Sequence, residues 1–140
     1  MRILVDTNVV IDWLTRREPF HRDAEHIMAG CMAGDIEGHL TAHMLPDLFY
    51  ILRKDLSVRE RKALLLLLCE HFQIIPEDES TIVRTLEDGR FDDLEDGLQM
   101  RCASDRELDY IVTRNTRDFQ ASTIPVLPPA EFIERYEAGR

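Results

Sequence analysis

Five runs of strand length punctuate this chain and narrow what it can fold into: Ile3–Asp6, Glu37–Thr41, Gln73–Pro76, Tyr110–Thr113 and Ile124–Leu127. Between them lie stretches with helical signals. Val9–Thr15 reads as one helix, and Pro19-Phe20-His21 opens another that runs through about Ala33. Pro46 suits the first turn of a helix over Asp47–Arg53. Ser57, with Glu60 three residues on, forms a capping box for Val58–Phe72. Ser80 is placed to cap a helix through about Asp88, Leu94 to about Asp105 forms the next, and Pro129 opens a last one over Ala130–Ala138. Strands separated by helices need long crossovers, the connection that parallel pairing requires. The expected fold is α/β, a central parallel sheet of about five short strands with helices on both faces.

At 140 residues the chain is expected to form a single domain, 1–140, large enough for its own core. No apolar run approaches a membrane span; the longest, Ala63–Cys69, is far too short. The N-terminus shows no secretion signal. Cys31, Cys69 and Cys102 are odd in number and widely spaced, which fits reduced thiols and a cytoplasmic location and offers no metal-binding pair. The five histidines show no metal-ligand spacing either. Leu64–Leu68 is too short for a zipper; leucines on every face of that helix suggest burial on more than one side, including a subunit contact. A net charge of −10 argues against a broad nucleic-acid surface, though a local basic rim can coexist with it.

The informative residues are acids at the ends of strands. Asp6 terminates the first strand and runs into Thr7-Asn8. Asp47 lies in the helix after the second strand, and Asp92, Asp93, Glu95 and Asp96 cluster where the Leu94 helix starts. Asn115 and Asp118 follow the fourth strand. In a parallel sheet the strand tips share one edge, so these scattered groups converge. First-turn acids offset a helix dipole, which accounts for Asp92, Asp93 and Glu95 without further function. Asp6, flush against a buried strand, needs a partner. Two carboxylates about 4 Å apart repel by roughly 4 kcal/mol at an effective dielectric of 20, so a convergent set calls for protonation, an Arg or a cation. Hard oxygen ligands suit Mg²⁺ or Mn²⁺.

Leu4-Val5-Asp6-Thr7-Asn8-Val9, Asp93-Leu94-Glu95-Asp96-Gly97-Leu98-Gln99 and Ile111-Val112-Thr113-Arg114-Asn115 through Asp118-Phe119 resemble the PIN domain, and in particular small prokaryotic proteins of the VapC toxin type. Val126-Leu127-Pro128-Pro129 with Glu131-Phe132 resembles their usual ending. The resemblance implies a Rossmann-like three-layer α/β/α fold and a ribonuclease that uses Mg²⁺ or Mn²⁺. Carried over by motif, Asp6 and Asp96 are the metal ligands, with Asp47, Asp118, Asn115 and Thr113 completing the catalytic set. Two departures stand out: Asp47 occupies a place where Glu is common, and Asn115 stands where an acid is expected.

Arg114 and Arg117 flank the site loop and are the candidates for contact with RNA phosphates, with Arg16-Arg17 and Arg53-Lys54 as outer rim. The resemblance further implies a small antitoxin partner and a homodimer. The competing reading is a catalytically weakened PIN-like domain that binds RNA or protein, motivated by Asn115. A metal-dependent phosphatase or DNA nuclease could use the same acids.

Overall fold

The computed structural model describes residues 1–140. Five strands, β1 (Arg2–Val5), β2 (Glu37–Thr41), β3 (Gln73–Ile75), β4 (Tyr110–Val112) and β5 (Val126–Leu127), form one sheet in the order β3-β2-β1-β4-β5, and every pairing is parallel. Seven α-helices connect them: α1 (Thr7–Thr15), α2 (His21–Ala33), α3 (Met44–Ile51), α4 (Val58–His71), α5 (Glu79–Glu87), α6 (Leu94–Asp105) and α7 (Pro129–Ala138). A 3₁₀ turn, Leu52–Lys54, follows α3, and a second, Thr116–Phe119, follows β4. This is the expected α/β fold with its five-stranded parallel sheet.

The chain winds outward from β1 to β2 and β3, then returns to lay β4 against the other edge of β1. The winding reverses between β1 and β4, and the crevice beyond the strand ends at such a reversal is where open α/β sheets place their ligands. Ile3, Leu4 and Val5 are fully buried, as are Ile111 and Val112, so the two central strands are gripped on both faces.

Local punctuation explains most helix ends. Ser57 accepts from the Glu60 backbone while Glu60 Oε1 accepts from the Ser57 N–H, the reciprocal box its spacing predicts. The α5 cap is a correction. Asp78, not Ser80, caps it, because one Asp78 oxygen accepts from both the N–H and the hydroxyl of Thr81. Helix α3 also begins at Met44, three residues ahead of the expected start. Pro46 still sits in the first turn, where helical N–H groups have no intrahelical partner and a missing one is not felt. β5 is shorter than Ile124–Leu127 because the Ser122 hydroxyl takes both the N–H and the C=O of Ile124 off the ladder.

Within one copy of the chain the leucine run is buried on one side. Leu64 and Leu68 enter the core, whereas Leu66 is 69% exposed. All three cysteines are free. No helix is long and apolar enough to cross a membrane.

Candidate active site

The pairing of Val5 with Val112 makes Asp6 and Thr113 the next residues on adjacent parallel strands. Both are buried, Asp6 to 7% exposure and Thr113 completely. The Thr113 hydroxyl donates to Asp6 Oδ2 at 2.7 Å, and the Asn8 amide donates to the same oxygen at 3.2 Å. Asp6 Oδ1 accepts from the Thr7 backbone at 2.7 Å and from Gln99 Nε2 at 3.1 Å. Four donors thus fix one carboxylate. Asn8 also reaches Thr113 Oγ1, and the Asn115 N–H donates to that same oxygen, which ties the loop after β4 to the start of α1.

Around this anchor the acids gather. A cleft of about 270 Å³ is lined by Asp6, Asp47, Glu95, Asp96, Asn115 and Asp118, among others. α6 supplies its wall: Asp93 caps the helix by accepting from the Asp96 N–H, which fixes Asp96 one turn in. Burial pushes the Asp96 carboxyl up to about 7, helped by Asp93, Asp118, Asp6 and Glu95. Glu95 is raised as well, by burial first and then by the Asp47 carboxylate beside it. Such shifts report a site short of positive charge.

Gln99 adds a second sign of the same kind. It lines this cleft at 3% exposure, and while Nε2 serves Asp6, its Oε1 has no partner. A buried, unpartnered carbonyl oxygen beside converged carboxylates is a hard-oxygen donor set of the type that suits Mg²⁺ or Mn²⁺. The residues present therefore fit a divalent cation.

Asp6, Asp47, Asp96, Asn115 and Asp118 share the cleft, and Thr113 stands directly behind Asp6. The two arginines separate. Arg114 is committed elsewhere: its Nε donates to Asp12 Oδ2 at 2.5 Å, its Nη2 reaches Oδ1 at 3.2 Å, and its guanidinium lies 4.2 Å from the Phe20 ring centroid. Asp12 is only 1% exposed, so this pair is structural. Arg117 is exposed and lines a neighbouring groove of about 510 Å³ together with Arg90, Asp96 and Asp118.

Sequence reasoning missed Asn8, Gln99 and His43 and gave Glu95 only a dipole role. A signal existed for three of them. Glu95 and Gln99 are four residues apart on α6, and His43 and Asp47 are four apart at the start of α3, spacings that put side chains on one helix face.

The sequence matches the PIN domain over residues 2–117. The chain belongs to the PIN-domain family. This PIN domain is also similar in fold to solved structures. One is a toxin–antitoxin complex from Klebsiella pneumoniae, at 23% identity over 91% of this chain and 97% of that one, with a TM-score of 0.67. Another is VapBC-1 from nontypeable Haemophilus influenzae, at 16% identity over 93% and 99%, TM-score 0.67. A third is VapC20 of Mycobacterium tuberculosis, a toxin that cleaves the sarcin-ricin loop, at 14% identity over 87% and 95%, TM-score 0.68. No curated protein matches this PIN domain by sequence.

Proposed function

We propose that this PIN domain is a divalent-metal-dependent endoribonuclease acting as the toxin of a toxin–antitoxin pair. The observation that carries the reading is the convergence of Asp6, Asp96 and Asp118 on one cleft at the β1–β4 reversal, with Asp96 pushed up to about 7. Asp6 and Asp96 would hold the ion, with Asp118 in reach, and Gln99 Oε1 would accept from its water shell. A bound Mg²⁺ or Mn²⁺ supplies a water of lowered pKa and neutralises charge on a phosphodiester.

The protein's own residues do the rest. Thr113, Asn8, Gln99 and the Thr7 N–H hold Asp6 in one orientation, and a side-chain donor on the ligating oxygen would give way to the ion. Arg117, exposed at the rim, is the cation placed to meet a phosphate. Arg114 keeps the loop in place through Asp12 instead. An acidic chain of this net charge suits a basic partner, which supports an antitoxin. The toxin–antitoxin relatives support the same partner, and a homodimer in a cytoplasmic setting completes the reading.

Asp6→Asn and Asp96→Asn should each abolish RNA cleavage while circular dichroism stays unchanged. Undiminished cleavage by both purified variants would refute the assignment. The weaker, binding-only reading rests on Asn115, but Asp118 lies in the same cleft and can supply the acid that Asn115 lacks. Restoring an acid with Asn115→Asp separates the two: cleavage by the unaltered chain rules out the binding module, whereas activity gained only in the variant supports it. Parallel assays on RNA, DNA and phosphomonoesters decide the substrate class.

A further inference from the structure

Alongside the acid cleft runs the groove of about 510 Å³, which shares Asp96 and Asp118 with it. Phe91 and Asp92 line it from the segment between α5 and α6, and Met100, Gln120 and Ala121 complete its surface. Phe91 is held from behind. A Cβ on Gly97 would stand 3.1 Å from its ring, so the ring lies directly on α6. The Arg90 guanidinium lies 5.4 Å from the ring centroid. Arg90 is itself locked onto Asp88, with Nη2 2.8 Å from Oδ2 and Nε 3.0 Å from Oδ1. Arg101 Nη2 reaches the same carboxylate at 3.2 Å.

The polar groups left over in this groove are few. Asp93 Oδ1 is spent on the α6 cap, and Asp96 and Asp118 belong to the cleft. Asp92 is exposed, and the neighbouring Arg90 and Arg101 are committed to Asp88, so both Asp92 oxygens stay open as acceptors. Arg117 is exposed as well and is the groove's uncommitted cation. Proteins read single-stranded RNA in such surroundings, packing an unstacked base on an aromatic ring and hydrogen-bonding its Watson–Crick edge. An ionised carboxylate can only accept. Guanine presents two adjacent donors on that edge, N1–H and the N2 amino group, and so meets both carboxylate oxygens at once. Adenine, cytosine and uracil each set a lone pair beside their donor, which a carboxylate repels.

We propose that the groove is a base-reading subsite that takes a guanine from the nucleotide next to the scissile phosphate, with Asp92 as the specificity residue. Phe91 and Met100 give the base its apolar support, and Arg117 meets the phosphate that the nucleotide carries. The subsite rests on the ribonuclease reading of the adjoining cleft and sharpens it, from RNA in general to RNA with a guanine beside the cut. An arginine from a protein partner could also pair with Asp92. Arg117 in the same groove would repel that arginine, whereas a nucleotide brings the anion that Arg117 lacks.

The test titrates the full chain, in Mg²⁺, with 5′-GMP, AMP, CMP and UMP and with N-acetylarginine amide, following the ligand signals by NMR. GMP should bind about fivefold or more tighter than the other three nucleotides, the discrimination that a bidentate base contact supplies. Asp92→Asn presents one acceptor and one donor, so it should erase the GMP preference and move it to AMP and CMP. Asp92 is exposed, so this variant should keep the parent circular dichroism. In parallel, cuts in a random-sequence RNA are mapped by sequencing the product ends. Guanine should be enriched at one position flanking the cut, and the enrichment should vanish in Asp92→Asn. Equal binding of the four nucleotides, a GMP preference that survives Asp92→Asn, tighter binding of the arginine probe, or cuts without a flanking guanine would overturn the subsite alone. Selective GMP binding by a chain that cuts no RNA would instead overturn the nuclease reading and keep the guanine site.

Discussion

At the scale of single residues, Thr113 does more than its size suggests. One hydroxyl donates to Asp6 and accepts from the Asn8 amide and the Asn115 N–H, the first bond buried and the other two partly so. Thr113→Val keeps the shape and removes all three bonds, so the buried Asp6 loses its shortest side-chain donor and the Asn115 N–H loses its partner. We expect a loss of about 1–3 kcal/mol in urea denaturation, with cleavage falling more steeply than stability because Asp6 loses its aim. A variant as stable and active as the parent would show that Asp6 needs no such support. Asp6 and Asp96 were legible from the sequence because acids at strand ends and helix starts converge where parallel tips share an edge, whereas Thr113 came only from the motif resemblance. The spacing from Glu95 marks the helix face of Gln99, but its burial was not legible, since a glutamine inside a helix carries no mark of it. The commitment of Arg114 to Asp12 was hidden too, because the pair is separated by about a hundred residues and only the folded sheet brings α1 beside the loop after β4.

Between elements, two contacts decide how well the site is held. The Arg114–Asp12 pair ties the loop after β4 to α1. Arg114→Met would leave Asp12 charged and 1% exposed with no counter-charge, a loss of about 3–5 kcal/mol. The Asp12→Leu, Arg114→Met double variant should recover most of that in denaturation, and no recovery would mean that the ion pair is not the cause. The second contact is Gly97, which follows Asp96 on α6. A Cβ there would stand 2.9 Å from Thr85 Cγ2 on α5 and 3.1 Å from Phe91. Replacing a helical glycine with alanine usually gains about 1 kcal/mol. Gly97→Ala should instead destabilise, and Thr85→Ser, which removes the clashing methyl but keeps the hydroxyl bonded to Thr81, should restore the gain. Boundaries show the same limits of legibility. Leu94–Asp105 reads directly because Asp93 is a strong cap, whereas Ser80 misled because Asp78 sits two residues upstream and reaches Thr81 first.

For the molecule as a whole, charge is the governing term. A chain of net charge −10 that collects its acids in one cleft stores repulsion there. Asp96 is held up near 7 in the fold against an ordinary value of about 4 when unfolded, so between these values the native state binds a proton that the unfolded state has released. Stability from this group is therefore full below about pH 4 and falls as pH rises towards about 7. The raised Glu95 and His43 act in the same direction, while His39, lowered by burial, opposes them. The metal-free protein should lose melting temperature from about pH 4 to about pH 7, and saturating Mn²⁺ should flatten that slope, as should Asp96→Asn without metal. A slope unaffected by either would remove Asp96 as its source. The reversal of winding at β1 has a further consequence, in time rather than space. During synthesis β2 and β3 can dock on one edge of β1 as soon as they emerge, but the other edge stays bare until Tyr110–Val112 is made. A nascent or truncated chain that stops earlier carries Asp6 on an open strand edge, with neither Thr113 behind it nor Asp118 across from it. If the finished protein cuts RNA, the ribosome that makes it is spared until the fourth strand is delivered.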